Sequence, residues 1–168
     1  MMPIRDPRFP FLVGAILSLG LVFCGVLLAE FMRLAACPLC IWQRILYLTF
    51  GFLSLCGLAL ANRPRARSGV AVLMMVAAGA GAGVAGYQVW IQRFAPMTTC
   101  AGKEPWWEAF IREAGEHVPW LFKASGLCSD PAWKFLNLSI ADWSLLLFVG
   151  LFVLAAFAAL RRLDGRRR

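Results

Sequence analysis

Four long apolar runs alternate with short charged stretches along this chain. The first, residues 11–29, carries no charge. At 1.5 Å per residue, about 19 residues cross a hydrocarbon core of roughly 30 Å. The second, residues 38–61, opens on Pro38 and contains one charge, Arg44. Proline suits a first helical position, where its missing N–H is not needed. A basic turn, Asn62-Arg63-Pro64-Arg65-Ala66-Arg67, follows, and its proline reads as the stop of the second helix. The third run, residues 69–92, is crowded in its middle by Gly79, Ala80, Gly81, Ala82, Gly83, Ala85 and Gly86. Small residues let helices approach closely in lipid. The fourth, residues 142–160, is preceded by Ser139-Ile140-Ala141-Asp142, an acidic capping box. The pattern predicts an all-α integral membrane protein, a four-transmembrane-helix bundle forming one domain over residues 1–168, with loops at 30–37 and 93–141.

A cleaved signal peptide is the rival reading of the first run, because Leu34-Ala35-Ala36-Cys37 resembles a lipoprotein cleavage box. The run is longer than a signal core, and Glu30 and Arg33 separate it from the box, so a membrane helix is the better reading.

Composition agrees with this. Hydrophobic residues make up 61% of the 168, more than a soluble domain of this size can bury. The net charge of +8 does not indicate nucleic acid, because ten of the 17 Lys/Arg sit in three short stretches against apolar runs. That is the positive-inside pattern, and it puts both termini in the cytoplasm. Residues 94–139 carry four Lys/Arg and five Asp/Glu, and so belong with residues 30–37 on the exported side. Within that loop, residues 105–122 mix Trp106, Trp107, Phe110, Ile111, Trp120 and Phe122 with charges, as a segment lying along the headgroup layer does.

Six cysteines are many for a protein facing only a reducing cytosol. Cys24 and Cys56 lie inside apolar runs and read as small buried hydrophobes. Cys37, Cys40, Cys100 and Cys128 all fall on the exported side. Zinc would want a second close pair or histidines, yet Cys100 and Cys128 are 28 positions apart and the one histidine is His117. Haem attachment would want histidine at Ile41. A pair of structural disulfides in a membrane scaffold stays open, as does redox chemistry. The redox reading uses more residues. Cys40 falls in the first turn of a helix and Arg44 lies one turn on, so dipole and guanidinium both favour a thiolate there. An arginine inside a membrane helix is costly and marks function. No flavin or nucleotide motif occurs, so a lipid-soluble quinone is the acceptor that suits an apolar bundle, with Arg44 as a hydrogen-bond donor to it.

Cys-Pro-Leu-Cys-Ile-Trp-Gln-Arg, residues 37–44, resembles the C-x-x-C-x-x-x-R signature of the disulfide bond formation protein B (DsbB) family. Thr98-Thr99-Cys100, Ala124-Ser125-Gly126-Leu127-Cys128 and Trp133-Lys134-Phe135-Leu136 resemble that family's second periplasmic loop. The resemblance implies an inner-membrane enzyme that reoxidises the periplasmic dithiol oxidase DsbA and passes electrons to ubiquinone or menaquinone, without a metal. It implies redox-active disulfides Cys37–Cys40 and Cys100–Cys128, a mixed disulfide with DsbA at Cys100, attack of Cys128 on Cys37, and a quinone site at Cys40 and Arg44. A dedicated partner in place of general DsbA is the alternative. The long loop must then bring Cys128 to Cys37. Gln43 departs from the family pattern where an acidic residue can occur, and Gln92 stands near an expected histidine. Gly86, Tyr87 and Gln88 are expected on the quinone side of the third helix.

Overall fold

A computed structural model describes residues 6–94, 106–122, 124, 126–129 and 133–164. Four of its helices are long and apolar enough to cross a membrane. The first, α1 (Phe9–Met32), starts with Pro10 near its N-terminus and outlasts the apolar run by three residues. Glu30 does not end it. Arg33 does, by taking a left-handed conformation (φ 50°), after which the Leu34 N–H returns to the Ala29 carbonyl at 2.9 Å.

The second helix, α2 (Pro38–Ala59), is capped by Cys37, whose sulfur accepts the Cys40 N–H. The third, α3 (Pro64–Phe94), begins five residues before the apolar run does. Pro64 therefore opens α3 and does not close α2. Its fixed φ and absent N–H suit a first helical position, and Arg65 and Arg67 fall in the first turn of α3.

The long loop contains α4 (Trp106–His117), the short α5 (Pro119–Phe122) and a two-stranded antiparallel ribbon, β1 (Lys134–Phe135) with β2 (Leu138–Ser139). Leu136 and Asn137 turn the ribbon with positive φ, as tight hairpins require. The ribbon is a minor addition to the expected all-α architecture. It leads into α6 (Ile140–Asp164) through the expected capping box, in which Asp142 accepts the Ser139 N–H at 2.9 Å and Ser139 Oγ accepts the Asp142 N–H at 3.2 Å.

The bundle closes in a ring: α1 packs on α2, α2 on α3, α3 on α6, and α6 touches α1. Phe11, Phe50, Met74 and Phe148 form its fully buried centre. The small residues of α3 serve this packing at one point in particular, since a side chain at Gly81 would run into the Phe148 ring. Phe148 also stacks on Tyr47 with ring centroids 4.0 Å apart. Emptying such a site with alanine costs about 3–5 kcal/mol. Ile16, Phe23, Phe52, Val76 and Val153 point outward, as the lipid-facing surface of a bundle should.

Candidate functional site

Cys37 and Cys40 stand at the loop end of α2. Cys37 is buried, at 3% exposure, and its thiol lies 3.0 Å from the Cys40 sulfur, to which it donates. Two buried glutamines hold this pair from below. The Gln43 amide donates to the Gln88 carbonyl oxygen at 2.7 Å, and the Gln88 amide nitrogen lies 3.3 Å from each of the two sulfurs. Gln88 therefore faces inward as expected of it. Tyr87, one residue earlier and about 100° around the helix, points outward and stacks on Trp90. Gly86 lies near Leu145 and does not line the site.

The long loop folds over the same mouth. The Gly126 N–H donates to the Ala36 carbonyl at 3.0 Å, and Gly126 sits so close to the Ala35 carbonyl that no side chain fits there. Two residues on, the Cys128 sulfur accepts hydrogen bonds from the Cys37 thiol and from the Leu39 N–H. These bonds hold the Cys128 thiol below its ordinary pKa against the opposing effect of burial. Cys37 is pushed well above the ordinary value, because both neighbouring sulfurs accept its proton and burial disfavours its charge. The proton of this cluster therefore rests on Cys37, with the Cys128 sulfur as an acceptor. Cys100 lies outside the described residues.

Arg44 makes a contact that sequence reasoning missed. Its guanidinium donates to the backbone carbonyl of Leu121, in α5, at 3.0 Å. Above it, α4 packs on α2 with Phe110 stacked on Trp42, ring centroids 5.9 Å apart, and Ile111 of α4 is fully buried. Trp106 and Trp120 stay exposed. The amphipathic segment thus both packs on the bundle and presents aromatic side chains outward, as a headgroup-level helix does.

Below the sulfurs lies a partly open cavity of about 290 Å³ lined by α1, α2, α3, α6 and the loop. Its apolar walls include Leu21, Val22, Leu28 and Leu147, and Leu127 and Trp133 close it from the loop. The first three turns of α2 contribute Cys40, Gln43, Arg44 and Tyr47, and the last two turns of α3 contribute Gln88 and Gln92. Tyr47 is held in place by its hydroxyl, 3.1 Å from Ser144 Oγ. Cys24 is exposed on α1 and lines this cavity, which corrects its reading as a buried residue. The cavity and the lipid face take up that side of α1, so no neighbouring helix covers it. Cys56 is only partly covered. An apolar chamber near the lower size of small-molecule sites, roughly 300 Å³, with a few convergent polar groups, is the form a ligand site takes.

Comparison with known proteins agrees with these features. The family model for disulfide bond formation protein DsbB matches residues 7–158. A disulfide bond formation protein B from Dechloromonas aromatica (strain RCB) is 38% identical over 146 residues, covering 86% of this chain and 87% of that protein. One from Nitrosomonas europaea is 37% identical over 155 residues, covering 88% and 90%. One from Albidiferax ferrireducens is 35% identical over 164 residues, covering 97% and 92%. A four-helix membrane bundle with a dithiol at its mouth, matched along nearly its whole length, belongs to the DsbB family of disulfide bond formation proteins.

Proposed function

We propose that this protein reoxidises a DsbA-like periplasmic dithiol protein and delivers the electrons to a respiratory quinone in the inner membrane, with both termini cytoplasmic. The observation that carries this reading is the seating of Cys128 against Cys37 at the head of a cavity that Cys40 and Arg44 also line.

The thiol steps balance as exchanges. A partner thiolate attacks the Cys100–Cys128 disulfide at Cys100, forms a mixed disulfide there and releases Cys128 as a thiolate. The second partner thiol then attacks the mixed disulfide, so the partner leaves oxidised and Cys100 leaves reduced. Cys128 attacks Cys37 of the Cys37–Cys40 disulfide, and Cys40 leaves with the electron pair. Attack by Cys100 on Cys128 restores the loop disulfide and returns a thiol to Cys37. Two electrons and two protons have then moved from the partner to Cys37 and Cys40.

The cavity fits a quinone: its walls are apolar, and Arg44 supplies N–H donors one helical turn from Cys40. Cys40, Arg44 and the chamber walls would hold the ring. A quinone, when bound, supplies a two-electron, two-proton acceptor. The residues around it exclude water and present a fixed positive charge where negative charge develops.

The test is quinol formation by purified protein supplied with reduced DsbA and ubiquinone or menaquinone. Quinol should form with the native chain and not with Cys40→Ser. Failure of the native chain with both quinones would overturn the proposal. A partner accumulating on Cys100 in Cys128→Ser would identify the dithiol protein, and capture of a different thioredoxin-fold protein would favour the dedicated-partner reading.

A further inference from the structure

Gln43 and Gln88 have no part in the exchange chemistry above, yet they are almost completely buried, at 4% and 3% exposure. Burying an amide is unfavourable unless its donors and acceptor are satisfied. Here the satisfaction is directional. The Gln88 carbonyl oxygen is taken by the Gln43 N–H at 2.7 Å, which turns the Gln88 NH2 toward the dithiol, 3.3 Å from Cys37 Sγ and 3.3 Å from Cys40 Sγ. The Cys40 sulfur also lies 3.8 Å from the Gln88 oxygen, so its nearer contact is the amide nitrogen.

We infer that Gln88 is a positioning residue for the dithiol: its amide, paired with Gln43, keeps a side-chain hydrogen-bond donor on Cys40 when the Cys37 thiol has none to give. The inference rests on the exchange sequence proposed above. In the structure Cys37 donates its thiol proton to Cys40. When Cys128 attacks Cys37, the Cys128–Cys37 bond forms and the Cys37–Cys40 bond breaks, and Cys40 leaves as a thiolate with the electron pair. Cys37 is then in a disulfide and carries no proton. Beside Cys40 there remain the Cys37 backbone N–H, the Gln88 amide as the side-chain donor, and the charge of the Arg44 guanidinium one turn below. The titratable and charged groups facing the cluster are Cys37 and Arg44 from α2 and Cys128 from the loop, with Glu30 acting on Arg44 and Glu108 on Cys128. From α3 the neutral Gln88 and Gln92 face it. An amide keeps its N–H at every pH, whereas a carboxylate there would offer no donor and would repel the thiolate.

The experiment uses the reduced full-length protein carrying Cys37→Ala, which reproduces the stage at which Cys37 offers no proton. Iodoacetamide modification of Cys40 is followed by site-resolved mass spectrometry across pH. Adding Gln88→Leu should slow modification near neutral pH by about tenfold, the effect of one hydrogen bond to a charged group, and move the profile toward alkaline pH. Gln88→Glu keeps the side-chain size and should act in the same direction, so a folding defect in the leucine variant leaves the inference testable. Gln43→Leu should produce a smaller shift of the same sign. A change in access alone scales the rate equally at every pH. A uniformly scaled profile, or an unchanged one, in the glutamate variant would overturn the inference. The readout involves neither quinone nor partner, so failure of the electron-exit proposal and failure of this one are told apart.

Discussion

The two halves of the thiol system are held by different means. Cys37 and Cys40 sit at the start of a membrane helix, locked by a buried amide pair that bridges α2 and α3. Cys128 arrives on a loop that, among the described residues, is fastened by hydrogen bonds at Gly126, at Leu121 and at Cys128 itself and by the stacking of Phe110 on Trp42. Single hydrogen bonds contribute only about 1 kcal/mol each. Segments held largely by such bonds open locally more readily than a packed bundle does. In the function proposed above, the helix pair is the fixed station and the loop cysteine the carrier. Two of the loop's fastenings fall on the station itself, because Ala36 adjoins Cys37 and Arg44 lines the cavity. The docked loop holds Cys128 at Cys37, lines the chamber with Leu127 and Trp133, and occupies one Arg44 donor.

The largest expected effect breaks the carrier and spares the station. Gly126→Val drives a side chain into the Ala35 carbonyl, a backbone group that cannot give way. Overpacking of this kind costs about 1–3 kcal/mol, which is roughly five- to 150-fold in the docked population. Exchange between Cys128 and Cys37 should slow by that factor in stopped-flow quenching, while the thermal stability of the bundle changes little. An equal loss of bundle stability would mean that carrier and station are one unit.

A smaller effect sharpens the comparison through pH. Cys128 is held below the ordinary thiol pKa and Cys37 above it, both by the proton they share. As pH rises, Cys128 should ionise first and Cys37 last. Site-resolved alkylation of the reduced protein should modify Cys128 at lower pH than Cys37. Cys37→Ala removes one donor to Cys128 and should move its profile toward alkaline pH. The reverse order of modification would contradict the arrangement.

The smallest effect is expected outside both regions. Arg93 pairs with Asp142 at 2.7 Å across the α3–α6 seam, but its side chain is 56% exposed. Such a pair contributes about 0–1 kcal/mol. Arg93→Ala should leave thiol exchange unchanged and lower the unfolding midpoint only slightly, as followed by circular dichroism in detergent.

Much of this was legible in the chain before any coordinates. The crossings follow from apolar length alone, and the dithiol and Arg44 share a helix face because residues four apart always do. What escaped had physical reasons. Pro64 carries the same signal whether it ends one helix or starts the next, and only the continuation of α3 decides between them. Gln43 and Gln88 are 45 positions apart, so their pairing needs the α2–α3 packing to be known. Their polarity inside apolar helices was the available signal. The Leu121 contact is made by a backbone carbonyl, which every residue has and which leaves no trace in sequence. Cys24 looked buried because its run is apolar, yet that run must also face lipid and the cavity.

The central claim is that the docked loop delivers Cys128 to Cys37 and frees Cys40. Its most direct test is disulfide mapping of purified Cys100→Ser protein, in which Cys128 has no loop partner and faces the Cys37–Cys40 disulfide. After rapid quenching with an alkylating agent, the account predicts a Cys37–Cys128 bond with Cys40 recovered as the alkylated thiol. Recovery of Cys37–Cys40 intact in all molecules, with Cys128 fully alkylated, would contradict it.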